Sequence, residues 1–314
     1  MPATDTIPRP IRTLTMVPAG PAAVTAAPPA PAGTPTPLAP LARTRRVTGP
    51  RLRHLTFKAA APLAAFAMVL CAWQLACTLH WSATLPTPAA VWHDIATAWR
   101  HGTLAPALFH SIRRCLLGFL CSVAVAAPLT LLLFGFTALR LPLRPVLNAI
   151  QSLPAAALVP VAVICLGNSE NAVFCVVLLG AVPSIVVGIL SALDQVPPLL
   201  LRAGRSMGAT GLTGARRILV PAAMPGIITS LKQGWTFGWR ALMTAELITS
   251  TPLPGIGRML DAGKKTGSLS LVLAATALIL FVGVVTEASV FRPLERRVLR
   301  TRGLLTHDDP EQQG

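Results

Sequence analysis

Charged residues are scarce in this sequence, and acidic residues are scarcer still. Only 12% of the 314 residues are Asp, Glu, Lys or Arg, whereas a typical soluble domain has about 25%. The 11 acidic residues are outnumbered by 27 basic ones, so the net charge is +16. So few charges cannot cover a surface that faces water, which favours lipid as the solvent around most of the chain.

Tyrosine is absent, and all aromatic residues together make up 5% of the chain. The positive charge is therefore not accompanied by the stacking surfaces that bind bases. The basic residues also lie beside apolar segments rather than along one amphipathic face. These patterns argue against a nucleic acid as the partner.

Sequence motifs for nucleotide, metal or nucleophilic chemistry are missing as well. The chain has no G-x-x-x-x-G-K-[ST] and no H-E-x-x-H, and Gly255-x-Gly257 follows no strand pattern. The six cysteines lie in or beside apolar segments without a C-x-x-C pair, as packing residues do. We therefore expect no enzyme activity, no metal site and no cofactor in this chain.

Six apolar segments are each long enough to cross a bilayer, which takes about 20 residues. They cover residues 59–79, 115–136, 146–166, 172–193, 227–248 and 269–291. With both termini in the cytoplasm, 19 of the 27 Lys and Arg residues are inside, six are outside and two are within a span, as positive-inside topology requires. We predict an all-α polytopic membrane protein with six transmembrane helices in residues 58–303.

The two ends of the chain are too polar or too rich in proline to fold alone. Proline occupies twelve of the first 50 positions, and such a stretch cannot bury enough apolar surface. We predict a disordered Pro/Ala-rich cytoplasmic tail with a basic cluster over 1–57, and a disordered tail over 304–314. Two other interpretations stay open for the first tail: a regulatory or docking segment, or a mis-assigned start with Met16 as the initiator.

The stretch between the fourth and fifth spans is polar, basic and punctuated by glycine. One helix is predicted from Pro198 to about Met207. A second, Gly211–Leu219, is capped by Thr210 and stopped or kinked by Pro221. A basic helix–turn–helix between two membrane spans predicts a docking surface.

This stretch, residues 197–221, resembles the E-A-A-x3-G-x9-I-x-L-P loop of permeases from binding-protein-dependent ABC importers. The matching region contains Arg202, Ala203, Gly204, Arg205, Ser206, Gly208, Ile218 and Pro221. Arg202 stands where the family has glutamate, and Gly204 replaces an alanine. The flanking residues 221–225 and Ala245-Glu246 are most similar to the branch that imports aliphatic sulfonates, taurine and nitrate.

The resemblance implies the permease fold of type I ABC importers, with cytoplasmic coupling helices between helices 4 and 5. It implies that two copies of the chain form the pore for a small solute such as a sulfonate, taurine or nitrate anion. It also implies two copies of a separate ATPase subunit that binds MgATP, an extracytoplasmic substrate-binding protein, and a place in the bacterial inner membrane. The alternative is a stand-alone secondary carrier or channel, for which we find neither an internal repeat nor an acidic residue in the first four spans.

Polar residues inside the spans are candidates for lining a pathway or closing a gate. They are Asn148, Gln151, Ser152, Gln233, Trp239, Arg240 and Glu246. An anionic solute needs hydrogen-bond donors, which amides, an indole and a guanidinium supply. Pro154, Pro160 and Pro183 indicate either helices broken along a transport pathway or ordinary packing kinks. Glu246 either braces the fifth helix or closes an outer gate, or it is hydrated at the membrane surface.

Overall fold

The structure, a computed structural model, describes residues 51–79, 84–249, 251 and 253–301, with side chains from residue 64 to residue 300. All regular elements in these ranges are helical. The α-helices are α1 Arg51–Thr78, α2 Pro88–Arg100, α3 Leu104–Gly135, α4 Thr137–Ser152, α5 Ala155–Leu166, α6 Glu170–Asp194, α7 Pro198–Ser206, α8 Gly211–Gly214, α9 Val220–Ile248, α10 Ile256–Lys265, α11 Leu269–Thr286 and α12 Arg292–Thr301. Two π-helical turns, Ala215–Leu219 and Glu287–Phe291, lead into α9 and α12.

Three described helices are long and apolar enough to cross a membrane: Leu104–Gly135, Glu170–Asp194 and the continuous Leu269–Arg300. The described apolar part of α1, Ala64–Thr78, is shorter than a full span. α9 has 29 residues, about 44 Å at 1.5 Å per residue, but it carries charged side chains that lower its mean hydropathy. α1 and α9 are thus less apolar than α3, α6 and α11.

The predicted third span, residues 146–166, is not a single helix. α4 ends at Ser152 and α5 begins at Ala155, and the two helices are bent by 99° at this break. Pro154 restricts the residue before it, and Leu153 is accordingly extended, with φ −69° and ψ 132°. The break also brings α4 across the end of α6, where Arg140 and Arg144 pair with Asp194.

The packing of α6 on α9 forms the centre of the bundle. Small residues recur every fourth position on α9, at Gly226, Ser230, Gly234 and Gly238. A Cβ at Gly234 would lie 2.3 Å from Ile185 Cγ1 on α6. Such a row lets two helix backbones approach closely, which is how helices associate when lipid removes the hydrophobic driving force between them.

The predicted terminal tails lie mostly outside the described residues. Residues 1–50 and 302–314 are not described, and α1 begins at Arg51. The predicted tail boundary at residue 57 therefore falls within a helix. Arg51, Arg53 and Lys58 of the basic cluster belong to that helix.

Candidate functional site

The segment between α6 and α9 folds into two short helices joined by a tight turn. α7 begins at Pro198, where proline suits a first helical turn, and ends at Ser206. Gly208 and Gly211 have φ of +82° and +55°, a left-handed conformation that residues with a Cβ rarely adopt. The turn therefore lies where the glycines permit it, between the two helices expected from the sequence.

The second short helix does not stop at Pro221, so of the two predicted alternatives, a stop or a kink, the stop is wrong. The chain passes from α8 through the π-helical turn into α9, and the Val220 N–H donates to the Ala215 carbonyl. Pro221 is the second residue of α9 and supplies no N–H to this continuous helix, and the wider π-helical turn lies directly before it. Thr210 takes the N-cap position of α8, but its side chain makes no cap hydrogen bond.

Gly204 is buried beneath Ile218, and this contact fixes α7 against the π-helical turn. A Cβ at Gly204 would lie 1.9 Å from Ile218 Cδ1. A cluster of buried apolar residues continues the packing onto α6 and α9: Ala192, Val196, Leu219 and Ala223. The short helices are therefore attached rigidly to the two central helices of the bundle.

Six exposed side chains of this segment form a patch that we call the coupling surface. It consists of Arg202, Ala203, Arg205, Ser206, Met207 and Leu212. Met207 and Leu212 are 87% and 85% exposed. Large apolar side chains beside guanidinium groups are typical of surfaces that bind another protein.

A row of polar side chains, the polar face, runs along α9. Thr229, Gln233, Thr236 and Arg240 are exposed and Thr244 is half-buried, at the three- and four-residue spacing of one helix face. The three threonine hydroxyls donate to carbonyls four residues earlier, at 3.0 to 3.1 Å. Among the described residues, neither Gln233 nor Arg240 has a side-chain hydrogen bond, so both keep donors for another partner.

A buried ionic network joins the start of α3, the start of α6 and the end of α9. Arg114 Nη1 donates to Glu246 Oε1 at 2.9 Å, and Arg114 Nε donates to Glu170 Oε2 at 2.7 Å. Ser111 Oγ donates to Glu246 Oε2 at 2.8 Å. The Arg114 and Glu246 side chains are 2% and 0% exposed, so each charge is stabilised by its partner rather than by water.

The loop after α9 closes over Glu246. The Gly257 N–H donates to Glu246 Oε2 at 3.1 Å, and the Ile256 N–H donates to Ser111 Oγ at 2.9 Å. A Cβ at Gly255 would lie 2.5 Å from Glu246 Oε2, and one at Gly257 would lie 2.6 Å from Glu246 Cβ. The absence of side chains at Gly255 and Gly257 therefore allows the buried carboxylate to approach the backbone, and this accounts for the Gly-x-Gly pair without a nucleotide.

Residues 118–300 match the family described as binding-protein-dependent transport system inner membrane components. The chain belongs to this family. The matched residues include the coupling surface, the polar face of α9, and the Glu170 and Glu246 parts of the ionic network. As a family member the chain is a transport component of the membrane, not itself a catalytic subunit.

Curated relatives of this permease are transport permeases from several organisms. A "Probable ABC transporter permease protein" of Brucella melitensis is 31% identical over 188 residues, which is 60% of this chain and 76% of that protein. The taurine transport system permease protein TauC of Escherichia coli is 27% identical over 208 residues, 66% of this chain and 72% of its own. The nitrate import permease protein NrtB of Synechocystis is 26% identical over 252 residues, 77% of this chain and 90% of its own.

A solved structure shares the fold of the permease. The chain aligns with a chain of the inward-facing MetNI methionine ABC transporter at a TM-score of 0.54 and 18% identity, covering 62% of this chain and 95% of that one. The likeness, with the family match, establishes the predicted all-α fold of type I ABC importer permeases.

The predicted site residues of the permease separate into distinct places. The residues of the importer motif lie together in the α7–α9 segment, and Gln233 and Arg240 share the polar face of α9. Trp239 is 6% exposed in the core instead. Asn148 and Gln151, with Ser152, lie on α4, which packs against α6 and α3.

The interpretation of Glu246 as a hydrated surface residue is wrong. Its side chain is fully buried, and it braces the end of α9 against α3. Sequence reasoning missed Arg114 and Glu170 as members of this network, because they are separated by 56 residues and Arg114 is 132 residues from Glu246. The sequence signal that could have indicated a buried carboxylate was the Gly-x-Gly pair that follows an acidic residue at the end of a span.

A further charged pair lies between α9 and the π-helical turn before α12. Lys232 pairs with Glu287, so neither of these charges is isolated in the bundle. Among the described residues, no group of three or more His, Cys, Asp and Glu side chains is arranged to hold a metal ion.

Proposed function

We propose that the chain forms the pore of an ATP-driven importer for a small anion such as an aliphatic sulfonate, taurine or nitrate. The observation that carries this proposal is Arg240, exposed on the polar face of α9 with Gln233 about two helical turns before it. A guanidinium and an amide are donors suited to an oxyanion. The names of the relatives TauC and NrtB support the same class of solute.

A second copy of this chain completes the pore in this proposal. An exposed charge such as that of Arg240 costs at least about 2.5 kcal/mol at the centre of a bilayer. The polar face must therefore meet water or protein instead of lipid. Two copies that bring their α9 polar faces together would enclose a polar pathway and cover both faces at once.

Two copies of an ATPase subunit drive the pore, with MgATP bound only to that subunit and no cofactor in this chain. The coupling surface supports this part of the proposal, because its exposed Met207 and Leu212 suit a cleft in a partner protein. ATP-dependent closure of the ATPases would shift the coupling surfaces, which are fixed rigidly to α6 and α9. Arg202, in place of the family glutamate, gives this surface one more positive charge.

α9 transmits the movement through the membrane. Its first turn contains Pro221, next to the coupling surface, its middle carries the polar face, and its end holds Glu246 in the ionic network. Because the helix is continuous, a displacement at the coupling surface reaches the pathway and the network together. The coupling can be no larger than the difference in contact free energy between the two states.

The membrane orientation in this proposal places both termini and the coupling surface in the bacterial cytoplasm. The distribution of Lys and Arg supports it, with 19 of 27 on that side. The ionic network then lies at the extracytoplasmic end, where a substrate-binding protein would deliver the solute.

Uptake of radiolabelled taurine, an alkanesulfonate and nitrate tests the proposed function in cells that lack the native gene and carry wild-type or variant chains. Arg240→Gln should reduce uptake of the true substrate about 10-fold or more, since a hydrogen bond to a charged group contributes about 1.5–3 kcal/mol. Arg113→Gln, at an exposed position outside the polar face, is the matched control. Unchanged uptake by Arg240→Gln would refute the proposal that Arg240 lines the solute pathway. Uptake without any ATPase subunit would indicate a stand-alone carrier.

A further inference from the structure

A basic hollow of about 510 Å³ opens beside the last described helix. Its lining includes Ala288, Pro293 and the arginines Arg292, Arg296, Arg297 and Arg300. All four guanidinium side chains are exposed, and the only carboxylate within α12 is Glu295. The hollow is therefore lined by positive charge, and none of its lining residues belongs to the coupling surface or to the polar face of α9.

The hollow continues an exposed apolar surface on the same helical rod. α11 exposes Phe281, Val284 and Val285 on one side, at 63%, 57% and 43%. The next residues toward the C-terminus line the basic hollow. An apolar surface thus changes to a cationic one within two helical turns, as it does where a membrane span leaves the lipid.

We propose that the hollow binds the headgroup of an anionic phospholipid whose acyl chains lie along the exposed face of α11. Guanidinium groups donate paired hydrogen bonds to phosphate oxygens. A cluster of four or more basic residues directly after a membrane span is the arrangement that attracts anionic lipid. The proposal requires the membrane setting that the family membership provides, and it is independent of the substrate and of the ATPase.

The apolar part of the surface favours a lipid over other anions. A soluble phosphate or an acidic peptide would neutralise the arginines without contacting Phe281 or Val285. A phospholipid contacts both parts with one molecule. Asp308, Asp309 and Glu311 lie outside the described residues, and the experiment below tests whether they compete with the lipid.

Lipid retention by the purified full chain tests the proposal. The protein is solubilised with equimolar phosphatidylglycerol and phosphatidylcholine, washed in detergent, and its retained lipids are quantified by mass spectrometry. We expect clear selectivity for phosphatidylglycerol. Arg292→Gln with Arg300→Gln should reduce its retention roughly 25-fold, from about a 5-fold contribution of each basic residue, whereas replacing both with lysine should preserve most of it.

Matched variants separate this site from general charge effects. Arg100→Gln with Arg113→Gln removes two exposed positive charges elsewhere and should leave lipid selectivity unchanged. Equal retention of the two lipids by the wild type, or an unchanged ratio in the Arg292 and Arg300 glutamine variant, would overturn the proposal. Displacement of the lipid by inorganic phosphate would also overturn the proposal and would assign the hollow to a soluble anion. Selectivity that is gained only after Asp308→Asn, Asp309→Asn and Glu311→Gln would overturn it too and would assign the hollow to the acidic tail.

Discussion

At the scale of single residues, Arg114 neutralises a carboxylate that water does not reach. Removing it would leave Glu246 buried without a cation, and breaking a buried ion pair from one side costs about 3–5 kcal/mol. We therefore expect Arg114→Met to lower the midpoint of thermal unfolding in detergent well below that of the wild type. Fluorescence-monitored melting of the purified chain measures this change.

The neighbouring arginine provides the control for this prediction. Arg113 is exposed, so Arg113→Met removes the same charge and should change the midpoint little. Adding Glu246→Gln to Arg114→Met should recover part of the loss, because the uncompensated charge is gone. Equal midpoints for Arg114→Met and Arg113→Met would show that the network contributes nothing to stability.

Gly204 and Ile218 form a second residue-scale pair, in which adding a side chain, rather than removing one, is expected to be destabilising. Gly204→Ala would bring a methyl group against Ile218 Cδ1, and overpacking of this kind costs about 1–3 kcal/mol. We expect the variant to make the α7–α8 segment more susceptible to limited proteolysis. Adding Ile218→Val, which lacks the colliding Cδ1, should restore resistance. Wild-type resistance in Gly204→Ala alone would mean that Ile218 adopts another rotamer at little cost.

At the scale of elements, the close approach of α6 and α9 depends on the small residues between them. Gly234→Val would drive a side chain into Ile185, and we expect it to separate the helices and reduce the yield of folded protein in detergent. Gly283→Val in α11 is the control, because a Cβ there meets no atom within 4 Å. Size-exclusion chromatography of both variants gives the comparison. Similar monodisperse yields would contradict the proposed role of the α6–α9 contact.

Local patterns explain which elements could be predicted from the sequence. Pro198, Gly208 and Gly211 act on their own backbone torsions, so α7, the turn and the start of α8 follow from nearby residues alone. The same holds for α6 and α11, whose apolar runs are uninterrupted by charge. Pro154 predicts either a broken helix or a packing kink, and the 99° bend between α4 and α5 depends on how α4 packs against α6.

Long-range contacts explain what the sequence could not provide. The partner of Glu246 lies 132 residues away on a helix that begins eleven residues before the predicted span. No periodicity within one helix encodes such a pairing. The row of glycine and serine on α9 is a local pattern typical of helix contacts, but we identified it and its partner on α6 only from the fold. The burial of Trp239 on one side of α9 and the exposure of Arg240 on another likewise depend on packing.

At the scale of the whole molecule, the polar face of α9 should lie between two copies of the chain. Gln233→Cys, in a background without the exposed Cys71, Cys121 and Cys165, should form a cross-linked dimer in membranes treated with a short bifunctional thiol reagent. Leu280→Cys, exposed on α11, is the control and should give much less dimer. Equal cross-linking at both positions would argue against the proposed pore.

The central claim is that the coupling surface attaches this chain to an ATPase, and co-purification tests it most directly. The tagged full chain is isolated from detergent-solubilised membranes beside a variant in which residues 203–212 are replaced by a flexible linker. We predict that an ATP-hydrolysing subunit accompanies the intact chain and is lost from the linker variant, while both chains reach the membrane in equal amounts. An ATPase that stays bound to the linker variant, or none with the intact chain, would contradict the account.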